Sequence, residues 1–469
     1  MLPSPLLLFP LLVGPIYGGY TPDIVSSLPG QNFTPTFIHY SGFLQASSTR
    51  YLHYWLTESI RTPETAPLIL WLSGGPGCSA LGNLLRENGP FHLSNYGNTV
   101  YFNKWTWNNF ANVLYVEAPA GVGYSYATDG NLATDDDLAS LNNYNSLLSF
   151  LQKFPEYQGR DLYITGESYA GIFLSTLGVR LKNDPSNFPN FKGLAIGNGY
   201  MDIALNQNTL IPIYYYHALI RDELYMRIRD QCCNGTMEIC DITRNMTQDC
   251  TDWVNEALAA GDQLNIMNLY DTCYLDGSGN TVPGKLSYIK ASHYARMGFQ
   301  STGKFAADLP LCAQTDNTYN YLNRADVRKA LHIPSSLPSW CDCCDNVGSR
   351  YTTIYQNMYQ QVQNLNAAGI RVLMFNGDVD TLCSHMMNMK FVTNLNRQIL
   401  GPERVNLPWT YKGETPNVAG FMTQYTLNLD YLTVRGAGHL SPGDKPREVL
   451  QMLYNWINGN DYSKPDPFS

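Results

Sequence analysis

Short apolar runs alternate with stretches of helical spacing through the first half of the chain. The runs PLILWLSGG, NVLYVEAPAG, LYITGES and KGLAIGNG lie between residues 65 and 200, and LASLNNYNSLLSFLQKF separates the second from the third. Short apolar runs that end in glycine or small polar residues are typical of strands buried on both faces. The alternation predicts a parallel sheet covered by helices, and therefore an α/β fold.

The pattern changes after residue 200 and returns near residue 370. Apolar positions take helical spacing over residues 201–310, with the polar stretch DGSGNTVPGK near the end of that region. RVLMFNGDVD and LDYLTVRGAGH again have the pattern of a strand followed by a loop. We therefore expect a core with a mostly parallel central sheet in two parts, residues 20–200 and 311–469, and a largely helical cap inserted at 201–310.

Residues 1–19, MLPSPLLLFPLLVGPIYGG, form an apolar stretch that ends in small residues. Such a stretch is typical of a secretory signal peptide, and its prolines argue against a buried strand. Tripeptides for N-glycosylation at Asn32, Asn234 and Asn245 fit the same pathway. No later stretch is apolar for long enough to cross a bilayer, so we expect no membrane span.

Charge and cysteine content exclude some classes of function. The formal net charge is −9, and no run of lysine or arginine offers a surface for nucleic acid. Eleven cysteines fit an oxidising compartment, and their odd number leaves one thiol unpaired. A zinc site is the alternative for the cysteine clusters, but few histidines lie near them. The sequence thus predicts disulfides and no metal.

The strongest chemical signal is the serine in LYITGESYAG. Gly166, Ala170 and Gly171 flank Ser168, and small residues permit a sharp turn from strand to helix that exposes a serine at its apex. An ordinary capping serine is the alternative, because Ala170 stands where the usual nucleophile motif has glycine. A catalytic role for Ser168 requires a histidine and an acid elsewhere in the chain, whereas a capping role does not.

Asp380 and His439 supply such partners, because each follows a predicted strand closely. The carboxyl ends of parallel strands gather at one edge of a sheet, and the chain order Ser, Asp, His is that of α/β-hydrolases. His439 would accept the proton of the Ser168 hydroxyl, and Asp380 would orient the imidazole. Asp378 competes with Asp380 for the third role, and spacing alone does not separate them.

Several motifs occur together from about residue 30 to the end of the chain. They are WLSGGPGCSA, ENGPF, NVLYVEAPAGVGYSY, TGESYAG, AIGNG, NGDVDTLC and GAGH. In this combination the chain resembles the serine carboxypeptidases, and within them the cathepsin A branch. The resemblance implies an α/β-hydrolase fold and removal of single C-terminal residues from peptides through an acyl-enzyme, without a metal or organic cofactor.

Residue roles follow from the resemblance. Ser168 becomes the nucleophile, His439 the base and Asp380 the orienting acid, and the backbone N–H groups of Gly75 and Tyr169 form the oxyanion hole.

Glu87 and Glu167 are the residues that the family pairs to bind the terminal carboxylate of the substrate. Two carboxyls held close share a proton, which one of them can donate to the substrate, so the device works best in acid. The family has asparagine where this chain has Ser73, and another where it has Ser384. We expect these differences to weaken or alter carboxylate binding.

By resemblance, Leu440 and Arg86 border the pocket of the residue that is released, and Tyr169 borders the pocket of its neighbour. Leu440 favours an apolar leaving residue, and Arg86 either admits an acidic one or neutralises the glutamates. Cys383 remains as the unpaired thiol beside the active site, with packing in the core as the alternative. We therefore expect mercurial reagents to inhibit the enzyme.

The disulfides implied by the family cross-link loops around the site. They are Cys78–Cys343, Cys232–Cys250, Cys233–Cys240 and Cys273–Cys312, to which we add Cys341–Cys344 by inference. A polar, glycine-rich segment at about residues 276–305 corresponds to the part of the cap that blocks the site in cathepsin A relatives until it is cut. The chain is therefore expected to be made as a zymogen.

Cellular setting and partners rest on the same resemblance. It implies a lysosomal or secreted acid carboxypeptidase that acts on peptides with a free C-terminus, with a homodimer and lysosomal glycosidases as further partners. The alternatives are a binding protein that protects such glycosidases, and an esterase or acyl transferase on the same scaffold. Ser73 raises the last alternative, whereas paired Glu87 and Glu167 argue against it.

Overall fold

The structure is a computed structural model that describes residues 19–237, 240–242, 246–261, 264–271 and 311–468. The predicted signal peptide, except residue 19, and the predicted blocking segment at 276–305 lie outside these ranges. Asn245 and Cys273 also lie outside them, and with Cys273 the predicted Cys273–Cys312 pair.

An 11-stranded mixed sheet forms the centre of the molecule, in the order β1-β2-β6-β3-β9-β10-β12-β15-β14-β13, with β7 paired to β2. Neighbouring strands are parallel from β6 to β15 and antiparallel towards both edges. The strands of this sheet and of two small two-stranded sheets are β1 (His39–Gln45), β2 (Arg50–Thr57), β3 (Leu68–Leu72), β4 (Phe91–Ser94), β5 (Thr99–Phe102), β6 (Asn112–Val116), β7 (Tyr126–Ala127), β8 (Thr134–Asp135), β9 (Leu162–Ser168), β10 (Phe191–Gly199), β11 (Tyr351–Thr352), β12 (Arg371–Gly377), β13 (Leu407–Tyr411), β14 (Asn417–Tyr425) and β15 (Leu429–Val434).

Helices connect the strands. Those within the described ranges are α1 (Ala80–Arg86), α2 (Asp136–Lys153), α3 (Ala170–Lys182), α4 (Ile203–Asn208), α5 (Leu210–Tyr216), α6 (Asp222–Arg227), α7 (Gln248–Leu258), α8 (Leu311–Leu322), α9 (Ala325–Ala330), α10 (Asp345–Gly348), α11 (Tyr359–Ala367), α12 (His385–Asn394), α13 (Ser441–Asp444) and α14 (Pro446–Asn458). None of them combines the length and the apolar character needed to cross a bilayer.

Both faces of the sheet are covered, as strand β3 shows. Leu68, Leu70 and Leu72 belong to one hydrophobic cluster with residues of α2 and α3, whereas Ile69 and Trp71 belong to another with residues of α1 and α14. Successive side chains of a strand point to opposite faces, so a strand between two helical layers must be apolar at every position. This explains why the central strands are continuous apolar runs.

Helices α4–α7 follow β10, and α5–α7 have a hydrophobic cluster of their own, which includes Ile211, Leu224 and Val254. Two disulfides, Cys232–Cys250 and Cys233–Cys240, join this part of the chain. These helices occupy the region predicted as an inserted cap. The exact division of the chain at residues 200 and 310 stays a prediction.

The six central strands and the helix α2 predicted from the apolar pattern are confirmed, as is the α/β class with its mostly parallel centre. The antiparallel edges were not predicted. Strand β14 has an irregular succession of buried and exposed positions, so its sequence lacks the continuous apolar run that marks the central strands.

Candidate active site

Ser168 ends strand β9, and helix α3 begins two residues later at Ala170. The backbone φ of Ser168 is +63°, in the left-handed region, which a sharp strand-to-helix turn requires. A Cβ atom on Gly166 would lie 2.2 Å from the Leu72 carbonyl oxygen, so that position admits only glycine. Tyr169, not Ser168, is the N-cap residue of α3. The geometry is therefore that of a nucleophile elbow and not of a capping serine.

Asp380 and His439 are joined by a hydrogen bond of 2.8 Å from His439 Nδ1 to Asp380 Oδ2, and both side chains are buried. Asp380 also accepts hydrogen bonds from the backbone N–H groups of Leu382 and Cys383. Asp378 instead accepts from the N–H of Gly436. The structure thus brings Asp380, of the two candidates, to the imidazole.

The electrostatic environment of His439 favours its protonated form. Burial of the imidazole lowers its pKa, but the carboxylate of Asp380, with smaller contributions from Glu87 and Asp444, outweighs burial and raises the pKa above its ordinary value. Such a histidine can hold the proton that it takes from a serine hydroxyl.

Ser168 and His439 line the same cavity, which has a volume of about 370 Å³. Its wall includes Ser73, Arg86 and Leu440, three of the residues that the sequence placed at the pocket. A cavity of this size accommodates a small ligand or the end of a peptide.

The loop after strand β3 contacts the elbow directly. A Cβ atom on Gly74 would lie 2.6 Å from Ser168 Cβ and 2.7 Å from the backbone nitrogen of Tyr169, so only glycine permits this approach. Gly75, with a φ of +113°, follows in the cavity wall. The two residues predicted to form the oxyanion hole, Gly75 and Tyr169, therefore belong to adjacent segments beside the serine.

Glu87 and Glu167 are buried together, 1% and 3% exposed. The amide of Asn83 donates to Glu87 Oε1 (2.6 Å) and to Glu167 Oε1 (2.7 Å), and this uses both of its hydrogens. Burial raises the pKa of Glu87 to about 7. Burial, followed by the nearby charge of Glu87, raises the pKa of Glu167 well above its ordinary value. The pair therefore holds a proton in weakly acidic solution.

Arg86 forms an ion pair with Asp342, a residue that the sequence analysis did not identify. Its guanidinium donates to both carboxylate oxygens of Asp342, at 3.0 Å and 2.8 Å, and its Nε donates to the Gly82 carbonyl. The disulfides Cys78–Cys343 and Cys341–Cys344 hold the Asp342 loop in place at the cavity. Asp342 thus compensates the charge of Arg86.

The other expected residues do not line the cavity, although the Cys383 thiol lies beside the Ser168 side chain, as predicted. Cys383 is a free, buried cysteine, and burial raises the pKa of its thiol well above the ordinary value. Ser384 accepts a hydrogen bond from the N–H of Met387 as the N-cap of α12 and does not line the cavity. The side chain of Ser384 therefore supplies no group to the cavity, and the effect of lacking the family's asparagine at this position stays a prediction. The Tyr169 hydroxyl donates to the buried carboxylate of Asp136 (2.8 Å), which turns the ring away from the cavity.

Four of the five expected disulfides lie within the described residues, and all four are formed. The side chains of Asn32 and Asn234 are exposed, as glycosylation requires. No group of histidine, cysteine and acidic residues in the described ranges is arranged to hold a metal ion.

Sequence reasoning missed Asn83, Asp342 and Asn198. Asn83 precedes Glu87 by four positions, and one helical turn places such residues on the same face, so its role could have been found. Asn198 lies in the AIGNG motif and donates to Asp380 Oδ2 (2.8 Å). Asp342 had no signal in the sequence, because it meets Arg86 only through the disulfide-linked loop.

Comparisons with known proteins cover almost the whole chain. A model of the serine carboxypeptidase family matches residues 29–459. The chain is 54% identical over 447 residues to serine carboxypeptidase ctsa-4.1 of Caenorhabditis elegans, with 94% of each chain covered. It is 38% identical over 482 residues to the lysosomal protective protein of Mus musculus, with 98% of this chain and 99% of the other covered.

A solved structure shows a similar fold. The prohormone-processing carboxypeptidase Kex1 of Saccharomyces cerevisiae aligns with a TM-score of 0.75 at 21% identity, and the alignment covers 94% of this chain and 97% of the other. At this identity the likeness shows the fold alone. The central sheet and the strand-end loops that carry the cavity lie within the family match.

Proposed function

Because the chain belongs to the serine carboxypeptidase family of α/β-hydrolases, we propose that Ser168, His439 and Asp380 carry out its reaction. Ser168 Oγ attacks the carbonyl carbon of the last peptide bond while His439 takes the hydroxyl proton. His439 then gives this proton to the leaving amine, which departs as the free C-terminal amino acid and leaves an acyl-enzyme on Ser168. Water, activated by the same histidine, hydrolyses the acyl-enzyme.

The observation that carries this proposal is the joint position of the groups. Ser168 and His439 face one cavity, and a buried hydrogen bond of 2.8 Å fixes the imidazole to Asp380. The N–H groups of Gly75 and Tyr169 are suited to stabilise the oxyanion, an effect worth about 3 to 4 kcal/mol per donor in comparable hydrolases.

Recognition of the terminal carboxylate is assigned to Glu87 and Glu167. With one shared proton the pair donates a hydrogen bond to the carboxylate, and without it the pair repels the substrate. Since the pKa of Glu87 is about 7 and that of Glu167 is also raised, peptide hydrolysis is expected to be fastest in acid. Ser73 lines the cavity beside this pair and contributes a shorter polar group than the family's asparagine.

The test compares one N-blocked dipeptide with its C-terminal amide between pH 4.5 and 8, with the Ser168→Ala variant as the blank. The two substrates differ only in the terminal carboxylate. We expect the free acid to be cleaved preferentially near pH 5 and this preference to fade towards pH 8. Equal cleavage of acid and amide at every pH would remove the assignment of Glu87 and Glu167, and unchanged activity of Ser168→Ala would remove that of the nucleophile.

We further propose a lysosomal or secreted location. Support comes from the disulfides, which form in oxidising compartments, and from the similarity to a relative named as lysosomal. The name of that relative, lysosomal protective protein, also motivates a search for partner proteins, with glycosidases first. Fractionation of cells that produce the natural chain, followed by native co-purification from the lysosomal fraction, tests both points.

A further inference from the structure

The carboxyl end of strand β10 lies next to all three members of the proposed triad. The Tyr200 N–H donates to the carbonyl of Ser168 (2.8 Å), and Asn198 Nδ2 donates to Asp380 Oδ2 (2.8 Å). Ser441, two residues after His439, donates from its hydroxyl to Asn198 Oδ1 (2.8 Å). One short segment thus contacts three loops that are distant in sequence.

The orientation of the Asn198 amide is fixed by its partners. Its oxygen accepts from the Gly377 N–H (3.1 Å) as well as from the Ser441 hydroxyl. A backbone N–H can only donate, so this atom of Asn198 must be the oxygen, and the NH₂ group must face Asp380. An amide is the only side chain of this shape that accepts on one side and donates on the other.

The backbone at this position is adapted to the role. Asn198 is fully buried, its φ is +39°, and the pairing of β10 with β9 shifts register between Gly197 and Gly199. Such an irregularity turns a side chain away from the regular alternation of the strand, and asparagine tolerates a positive φ better than most residues. Asn198 does not line the cavity, so it does not reach the substrate.

We propose that Asn198 is a positioning residue that aims the Asp380 carboxylate at His439 and, through Ser441, links the segment after His439 to strand β10. This inference rests on the catalytic roles proposed above. The Asn198 hydrogen bond holds Oδ2 in line with His439 Nδ1 and offsets part of its negative charge. Without this hydrogen bond the Asp380 carboxylate is held less firmly, and its undiminished negative charge acts on the imidazole of His439.

The primary variant is Asn198→Ala, and Asn388→Ala is the matched control. Asn388 is equally buried and donates to the Gly199 carbonyl in the same segment, but it does not contact Asp380. Ser441→Ala is a milder variant that removes one of the two donors to the Asn198 oxygen and keeps Asn198 itself. Thermal unfolding of each variant checks that it folds.

Three readouts separate positioning from simple support of the fold. For the N-blocked dipeptide, Asn198→Ala is expected to lower kcat by roughly 10- to 100-fold with little change in KM, because misaimed catalytic groups slow chemistry more than binding. Ser441→Ala is expected to lower kcat by roughly two- to tenfold. Asn388→Ala is expected to leave kcat nearly unchanged.

The second readout is the acid limb of the pH profile of kcat/KM, which follows protonation of His439. Loss of the Asn198 donor leaves more negative charge on Asp380, which stabilises the imidazolium, so the limb is expected to move to higher pH by roughly half a unit to one unit. The other carboxyls that act on His439, Glu87 and Asp444, are present in every variant. A residue that only supports the fold would not move this limb.

The third readout is the rate at which a fluorophosphonate labels Ser168, which needs the triad but no terminal carboxylate. We expect the rate to fall in parallel with kcat for Asn198→Ala.

If Asn198→Ala resembles Asn388→Ala in kcat, in the acid limb and in labelling, the inference is overturned. A wild-type protein that is labelled at Ser168 but does not cleave the dipeptide would overturn the proposed peptidase function alone, since labelling rates still test Asn198. A wild-type protein that is not labelled would overturn both.

Discussion

Two groups of buried acids in the active site differ in the number of donors they receive. Asp380 takes hydrogen bonds from Asn198, from two backbone N–H groups and from His439. Glu87 and Glu167 share one amide, that of Asn83, and the second oxygen of each carboxyl meets no donor among the described residues.

The difference shows how one buried site can hold one carboxyl in a fixed orientation and give another pair a raised pKa. Donors favour the ionised form of a carboxyl, whereas burial and a like charge favour the protonated form. The donors around Asp380 hold its carboxylate in place against the imidazole of His439. The glutamate pair is poor in donors and is suited to hold a proton for the substrate.

The largest expected effect is that of replacing the carboxylate of Asp380. Asp380→Asn should lower kcat by about 10⁴-fold, because an amide can no longer stabilise the imidazolium or hold its tautomer. Asp378→Asn is the control, and it should change kcat by less than about tenfold, because Asp378 bonds to Gly436 and not to His439. Steady-state kinetics at pH 5 measure both. A greater loss for Asp378→Asn would reverse the choice between the two acids.

The next effect concerns Arg86, whose positive charge lowers the pKa of both glutamates. Asp342→Asn should destabilise the protein by about 3 to 5 kcal/mol, because it leaves Arg86 without its buried counter-charge. The stronger field of Arg86 should also lower the pKa of the glutamate pair, so the fall in dipeptide hydrolysis should begin at lower pH than in the wild type.

Urea unfolding measures the loss of stability in Asp342→Asn, and the pH profile of KM measures the change in the pKa of the glutamate pair. Asp345→Asn is the matched control, because Asp345 is an exposed carboxylate at the start of α10 that lines the same cavity and makes no ion pair with Arg86. A pH profile of KM that is identical in both variants would mean that Arg86 does not set the charge of the pair. A lower KM for peptides that end in glutamate, in Asp342→Asn alone, would show that Asp342 normally prevents Arg86 from binding an acidic leaving residue.

A smaller effect follows from making the glutamate pair unable to titrate. In the double variant Glu87→Gln and Glu167→Gln, KM for the free acid should stay level from pH 5 to 8, whereas in the wild type it should rise about tenfold or more. The C-terminal amide serves as the control substrate, since its KM should not follow the pair in either protein. A wild-type rise in KM that persists in the double variant would assign the acid preference to another group.

The smallest expected effect is on stability. The pKa of Glu87 in the folded protein is about 7, above its unfolded value, and that of Glu167 is also raised, so the folded state binds more protons near neutrality. The free energy of unfolding should therefore fall as pH rises from about 5 to 8, by about 2 kcal/mol from this pair. Denaturant unfolding at several pH values measures this slope. The double glutamine variant should show a shallower one, and an equal slope would contradict the origin in this pair.

The apolar pattern was sufficient to predict the parallel centre of the sheet, because each central strand is buried on both faces and must be apolar throughout. Ser168, Asp380 and His439 were predictable for a related reason, since loops at the carboxyl ends of parallel strands meet at one edge. The antiparallel strands escaped prediction because they have no continuous apolar run: β14 is partly exposed, and β1 and β2 are largely buried but include polar residues such as His39 and Arg50. The role of Ser384 as a helix cap was not predicted, because a serine that caps a helix and a serine that faces a cavity are alike in sequence.

The sequence by itself determined the sheet, the elbow and the order of the catalytic groups, because these depend on local pattern and on short motifs. Only the tertiary structure decided that the glutamate pair holds a proton, since the pKa of each carboxyl depends on its burial and on its neighbours in space. Asn198 reaches Asp380 across 182 positions of sequence and Asp342 reaches Arg86 across 256. Contacts of such range arise from the packing of strand-end loops and from a disulfide, and no local pattern of residues encodes them.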